Sequence, residues 1–159
     1  MSARPEVIAQ KSAERHGLAV EWVDASSLKR WEQNTNRHPQ SQVEKLARVI
    51  EKHGWTNPIL VDRAGTIVAG HGRMDAAEHL GLQRVPVIRL DAEGPEAEAL
   101  ALGDNWIARL AEEDAEALQA LVADLDRTIR DDQLDISLAD FGLDLDALLL
   151  SPSDDDWGD

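Results

Sequence analysis

Two short β-rich runs, Pro58-Ile59-Leu60-Val61 and Thr66-Ile67-Val68-Ala69, flank Asp62-Arg63-Ala64-Gly65 and lead straight into Gly70-His71-Gly72. No other feature constrains the fold as tightly. Apolar, β-branched runs on either side of a four-residue connection ending in glycine read as a hairpin. The two glycines beyond it let the backbone leave the second strand abruptly. A short helix over residues 73–80 follows, stopped by Gly81. A hairpin that passes at once into a helix argues for an α+β or mixed-sheet domain over a parallel doubly wound one.

The flanking segments complete the pattern. Residues 18–23 form a first strand, and residues 24–39 are a polar connection. Residues 41–54 are the strongest helix in the chain. Ser41 and Glu44 have the spacing of a capping box; Val43, Leu46, Ala47 and Ile50 recur at i, i+3, i+4 and i+7, a single apolar face. Gly54 ends the helix in a left-handed conformation. Val85-Pro86-Val87-Ile88-Arg89-Leu90 is a further strand, whose proline predicts a sheet edge or a strand start. Pro95 suits the first turn of a helix running to about residue 110, and Leu118, Leu121, Val122 and Leu125 mark one face of another. The order is β-α-β-β-α-β, then helices. The expected organisation is an arm over 1–17, an α/β core over 18–92 and a helical extension of the same domain over 93–130. A small appendage over 131–150 and a disordered acidic tail over 151–159 follow.

Charge divides the 159 residues more sharply than hydropathy does. Residues 1–90 hold 13 Lys/Arg against 10 Asp/Glu, whereas residues 91–159 hold 3 against 21, giving −15 overall. Phosphate neutralisation supplies much of the affinity for nucleic acid, so the first part can meet a phosphate and the second is not a DNA-binding surface. The acidic part reads as solvated helix faces. The absence of cysteine excludes disulfides, thiolate metal sites and a cysteine nucleophile, and fits a cytoplasmic protein. No apolar run approaches the roughly 20 residues of a membrane span, and the five histidines lack zinc spacing. Trp55 and Trp106 read as core or interface residues rather than base-stacking platforms.

The chemistry concentrates at Gly70-His71-Gly72-Arg73. A helix start offers unpaired amides and the positive end of the helix dipole, an anion site in waiting. Arg73 adds a fork of donors shaped for phosphate oxygens. His71 can donate to phosphate or move a proton, a catalytic role. Spacing alone is equally compatible with a tight β–α connection and an exposed arginine.

Asn57-Pro58-Ile59-Leu60-Val61, Gly70-His71-Gly72-Arg73 with Ala76-Ala77, Leu80-Gly81 and Val85-Pro86-Val87, in that order, resemble the ParB N-terminal domain family. The likeness runs from about residue 18 to 126. It implies the ParB/sulfiredoxin fold, a small mixed sheet with helices, in which a strand–G-x-x-R–helix element contacts nucleotide phosphates. By that resemblance Gly70, His71, Gly72 and Arg73 bind phosphate. Asn57 lies near the nucleotide, and Asp104 and Asn105 hold Mg²⁺ with a nucleoside triphosphate, CTP or ATP, Asp104 also being a catalytic candidate. A carboxylate and an amide oxygen are hard ligands of the kind Mg²⁺ takes. Asn34-Thr35-Asn36-Arg37-His38 occupies the family's N-x-R-x-H segment, with Asn36 at the arginine position and Arg37 displaced by one; both are phosphate candidates, and His38 reads as a cap of the next helix. Partition proteins of the family carry G-E-R-R at the turn, so one arginine and the acidic residue are missing here, and without cysteine sulfiredoxin chemistry is excluded. The helices after Pro95 are acidic and none reads as a basic recognition helix.

Three function classes are compatible with these residues. The first is a nucleotide- or nucleic-acid-phosphate-binding module, an accessory of DNA metabolism like phage and prophage relatives, which dimerises and reaches DNA through a partner or oligomer. The second is an enzyme: an NTPase, a nuclease or a phosphotransferase. The third is an adaptor for a DNA methyltransferase or a phage packaging component.

Overall fold

The computed structural model describes residues 17–32, 34, 37–109, 111, 114–141 and 143, without the side chains of 104, 105, 108, 109 and 140. The arm, much of the appendage and the acidic tail expected from the sequence lie outside the described residues. The chain divides into two compact units, Met1–Leu110 and Ala111–Asp159.

The first unit contains strands β1 (Val20–Asp24), β2 (Ile59–Val61), β3 (Ile67–Ala69) and β4 (Arg84–Arg89), with helices α1 (Gln40–His53), α2 (His71–His79) and α3 (Pro95–Arg109). The strands form one sheet in the order β1-β4-β2-β3. β1 pairs antiparallel with β4, β4 parallel with β2, and β2 antiparallel with β3. The predicted element order is present, and the sheet is mixed.

Period-two alternation assigns the faces. Ile59, Val61, Ile67, Val85 and Val87, each at most 1% exposed, meet Met74 and Ala77 of α2. The opposite face carries Val68 and half-buried Leu60, which pack with Ala97 and Ala101 of α3. Helix α1 lies on α2 through Val43, Ala47 and Ala76. Burial of each such aliphatic side chain stabilises the fold by about 1.5–3 kcal/mol, and α2 is thereby fixed between sheet and α1.

The predicted hairpin turn is present, with Asp62 as its organiser. The Asp62 amide donates to the Thr66 carbonyl at 2.8 Å and the Thr66 amide to Asp62 Oδ1 at 2.7 Å. A parallel bridge between Lys29 and Thr66 ties the polar connection to this hairpin.

Three local expectations change. The capping box at Ser41 and Glu44 does not form, because the helix begins at Gln40 behind Pro39, and no side chain caps it. The amides of Gln42 and Val43 both donate to the Pro39 carbonyl, at 2.9 and 3.1 Å, which places Ser41 inside the first turn. Pro86 sits in β4, an interior strand flanked by β1 and β2. Pairing with β2 begins only at Val87, so that neighbour asks no amide of Pro86. Helix α2 begins at His71 rather than Arg73, because left-handed Gly70 (φ 99°, ψ 25°) turns the chain within one residue.

The second unit is built on α4 (Ala115–Asp131), followed by a 3-10 turn at Leu138–Phe141. Asp114 caps α4, its Oδ1 accepting from the Ala117 amide at 3.0 Å. Of the predicted apolar face, Val122 is buried, while Leu121 and Leu125 are 62% and 41% exposed. No helix among the described residues is long and apolar enough to cross a membrane.

Candidate functional site at the start of helix α2

The geometry of the turn follows from Gly70. Its carbonyl accepts from the Met74 amide at 3.0 Å, the first bond of α2. The amides of His71, Gly72 and Arg73 precede that bond and have no partner within the helix. The earlier start of α2 thus brings all four predicted turn residues to one helix end.

Arg73 folds back over that end. A methyl group on Gly70 would lie 3.1 Å from Arg73 Nη2, 3.2 Å from Nε and 3.3 Å from the Ile59 Cα beneath. Only glycine permits both the backbone angle and this closeness. Arg73 Nε is buried without a hydrogen-bond partner. Burial lowers the Arg73 pKa from its ordinary value, and no acid offsets it among the described residues. Arginine nevertheless stays charged at any physiological pH. The site therefore holds a half-desolvated cation with no counter-charge among the described residues, at the helix end where the dipole also disfavours a cation.

His71 is 7% exposed, and its Nε2 is buried without a partner. Burial, and then the charges of Arg30 and His38, push the imidazole below its ordinary pKa, against a weaker opposing effect of Asp75. At neutral pH it is uncharged.

Arg30 and His38 complete the surroundings. Arg30 Nη1 lies 2.7 Å from Asp75 Oδ1 and Nη2 2.9 Å from Glu78 Oε2, clamping the polar connection to α2. Burial works against its charge, but the hydrogen bonds to Glu78 and Asp75 outweigh it and raise the guanidinium above its ordinary value. His38 does not cap α1 through its backbone; its Nδ1 lies 3.0 Å from Gln42 Oε1 and its ring lies over Gly72. Sequence reasoning missed Arg30, which stands far upstream of the turn with no motif around it. It reaches α2 because Ile67 donates to the Lys29 carbonyl at 2.8 Å and Lys29 to the Gly65 carbonyl at 2.9 Å.

The remaining predicted residues are less tightly gathered. Arg37 is exposed and joins the site only as the neighbour of His38, and Asn57 is exposed two residues before β2. Asn36 lies outside the described residues. Asp104 and Asn105 fall within α3, and their side chains lie outside the described residues. Trp55 packs half-buried against the core, whereas Trp106 is exposed. A cavity of about 270 Å³ opens elsewhere in this unit, with Trp31, Asp62, Val68, Glu93, Ala97 and Glu98 among its walls. None of the turn residues lines it, and its carboxylates suit a phosphate badly.

The start of α2 thus carries Arg73 folded back over Gly70 and the His38 ring lying over Gly72. His71 Nε2 and Arg73 Nε, both buried without partners, and helix-start amides without intrahelical partners belong to this end of the α+β domain, groups of the kind that can meet an anion. The profile of the ParB N-terminal domain matches residues 9–106, and the chain belongs to that family. It is 42% identical over 73 residues to the ParB-like nuclease domain-containing protein YnaK of Escherichia coli K12, covering 46% of this chain and 84% of that protein. It is also 42% identical over 66 residues to a probable plasmid-partitioning protein ParB of Thermus thermophilus, covering 40% of this chain but 22% of that longer protein. Among solved structures, the C-terminally truncated chromosome-partitioning protein ParB of Caulobacter crescentus complexed with CTP-gamma-S superimposes with a TM-score of 0.59 at 20% identity. The match covers 80% of this chain and 71% of that one. A Pnob8-like ParB-N domain gives 0.50 at 16% identity, covering 74% and 50%. At such identities these structures speak for the fold.

Proposed function

We propose that this chain is a nucleotide-binding module in which the start of α2 holds the phosphates of a nucleoside triphosphate. The carrying observation is that Arg73 Nε and His71 Nε2, on the first residues of that helix, are both buried without partners. A phosphate group satisfies all of these at once. Charge-assisted bonds from Arg73 replace the hydration it has lost, and backbone amides donate to the remaining oxygens. CTP is the first choice, because the structural neighbour from Caulobacter was determined with CTP-gamma-S; ATP is the second. By family resemblance Mg²⁺ accompanies the nucleotide on Asp104 and Asn105 and neutralises part of the phosphate charge. Nucleotide binding then favours one arrangement of the helical part, or of two copies of the chain, over another. DNA is met through a partner or an oligomer, since a net charge of −15 opposes direct contact.

The test is a thermal-shift panel of CTP, ATP, GTP and UTP with and without Mg²⁺. Ligand at about a hundredfold excess over its Kd stabilises by about 2.7 kcal/mol, a rise of roughly 5–10 °C for a chain of this size. Arg73→Ala is expected to abolish the rise. A flat panel for the wild-type chain removes the proposal.

A further inference from the structure

Gly72 stands inside α2, and its backbone angle is not one that calls for glycine, unlike that of Gly70. A glycine at an ordinary helical position costs about 1 kcal/mol relative to alanine, so its reason lies in space. A methyl group there would meet His38 at 3.0 Å from Nδ1 and 3.2 Å from both Cγ and Cε1. Three consecutive ring atoms at nearly equal distance mean that the imidazole lies face-on over Gly72. The ring occupies the place of the side chain that residue 72 lacks.

The ring is also oriented. Nδ1 is held by Gln42 Oε1 at 3.0 Å. Nε2, on the other side of the ring, makes no hydrogen bond among the described residues. The His38 charge reaches His71, so the two imidazoles share one neighbourhood. We propose that His38 is a phosphate-binding residue of this site, donated by the loop before α1 and admitted by Gly72. With Nδ1 held on Gln42 Oε1, Nε2 is the ring nitrogen left to meet a phosphate oxygen. Gln42 is its positioning residue. The inference rests on the nucleotide reading above and adds a side chain from a second segment to it.

Calorimetric titration of the full chain with Mg·CTP and Mg·ATP tests it. His38→Ala is expected to weaken binding about tenfold, the effect of one charge-assisted hydrogen bond. Gly72→Ala is expected to weaken binding and lower the Tm, because the ring must leave. Combining the two substitutions is expected to recover the Tm, since alanine then fits and favours helix, while binding stays weak. In the wild-type chain the His38 Cε1–H resonance should move on adding CTP. Wild-type affinity in His38→Ala or in Gly72→Ala, or an unmoved resonance on saturation, overturns the role of His38 and leaves the nucleotide reading standing. A wild-type chain that binds neither nucleotide removes both.

Discussion

Arg73 and His71 are placed where folding alone would not place them. A buried polar atom without a partner costs about 1–3 kcal/mol, and each of these residues carries one. A site that bears this cost in the free protein is poised to recover it from a ligand. Arg73→Leu, which keeps the stem but removes an unneutralised cation from a helix start, is expected to stabilise the ligand-free chain by about 0.5–1 kcal/mol. Urea unfolding measures this, and the same variant should show no nucleotide-induced rise. For His71 the folded pKa lies below the ordinary 6.5 because burial opposes the charge. The unfolded chain therefore takes up a proton first as the pH falls. Stability should be undiminished by this group above the ordinary value and be lost between it and the lowered folded value. In His71→Gln the decline in Tm between about pH 7 and pH 5 should be shallower than in wild type, the other histidines contributing equally to both.

At the scale of elements, caps separate what spacing suggests from what forms. Ser41 and Glu44 satisfy the capping-box spacing, yet Pro39 supplies the carbonyl that starts α1 and leaves Ser41 two places too deep to cap. Asp114 is a true cap, accepting from the Ala117 amide at 3.0 Å. Ser41→Ala should therefore change stability by no more than about 0.5 kcal/mol. Asp114→Ala should cost about 1 kcal/mol in the unit that contains α4. Circular dichroism during denaturant titration separates the two outcomes. The early start of α2 has the greater consequence. A helix beginning at Arg73 would have left His71 and Gly72 in a loop; beginning at His71, it places their amides among the first of the helix, where the proposed phosphate site needs them.

For the whole molecule, charge and topology decide which partners are reachable. A chain with 31 acidic and 16 basic residues has little counterion-release affinity for a duplex. The chain alone should fail to saturate an arbitrary duplex below about 100 µM at near-physiological salt, measured by fluorescence anisotropy. Tight binding there would mean that the basic groups around α2 serve DNA directly. The hydrophobic core makes the opposite kind of demand. Ile59 is fully buried and its Cα supports Gly70 from below. Ile59→Ala should cost about 2–5 kcal/mol in thermal unfolding.

Periodicity and turn chemistry made the hairpin, the helix over residues 40–53, the order of elements and the Gly70–Arg73 turn legible, because each rests on neighbours in the chain. Pairing order was not: Pro86 reads as an edge residue, and only the long-range partners of β4 make it interior. Nor was the wall of the site, since His38 and Arg30 reach α2 across more than thirty residues of chain. Local spacing thus determined where an anion could bind. Tertiary packing decided which side chains surround it, because desolvation and contact depend on distance in space, and no sequence pattern records that distance.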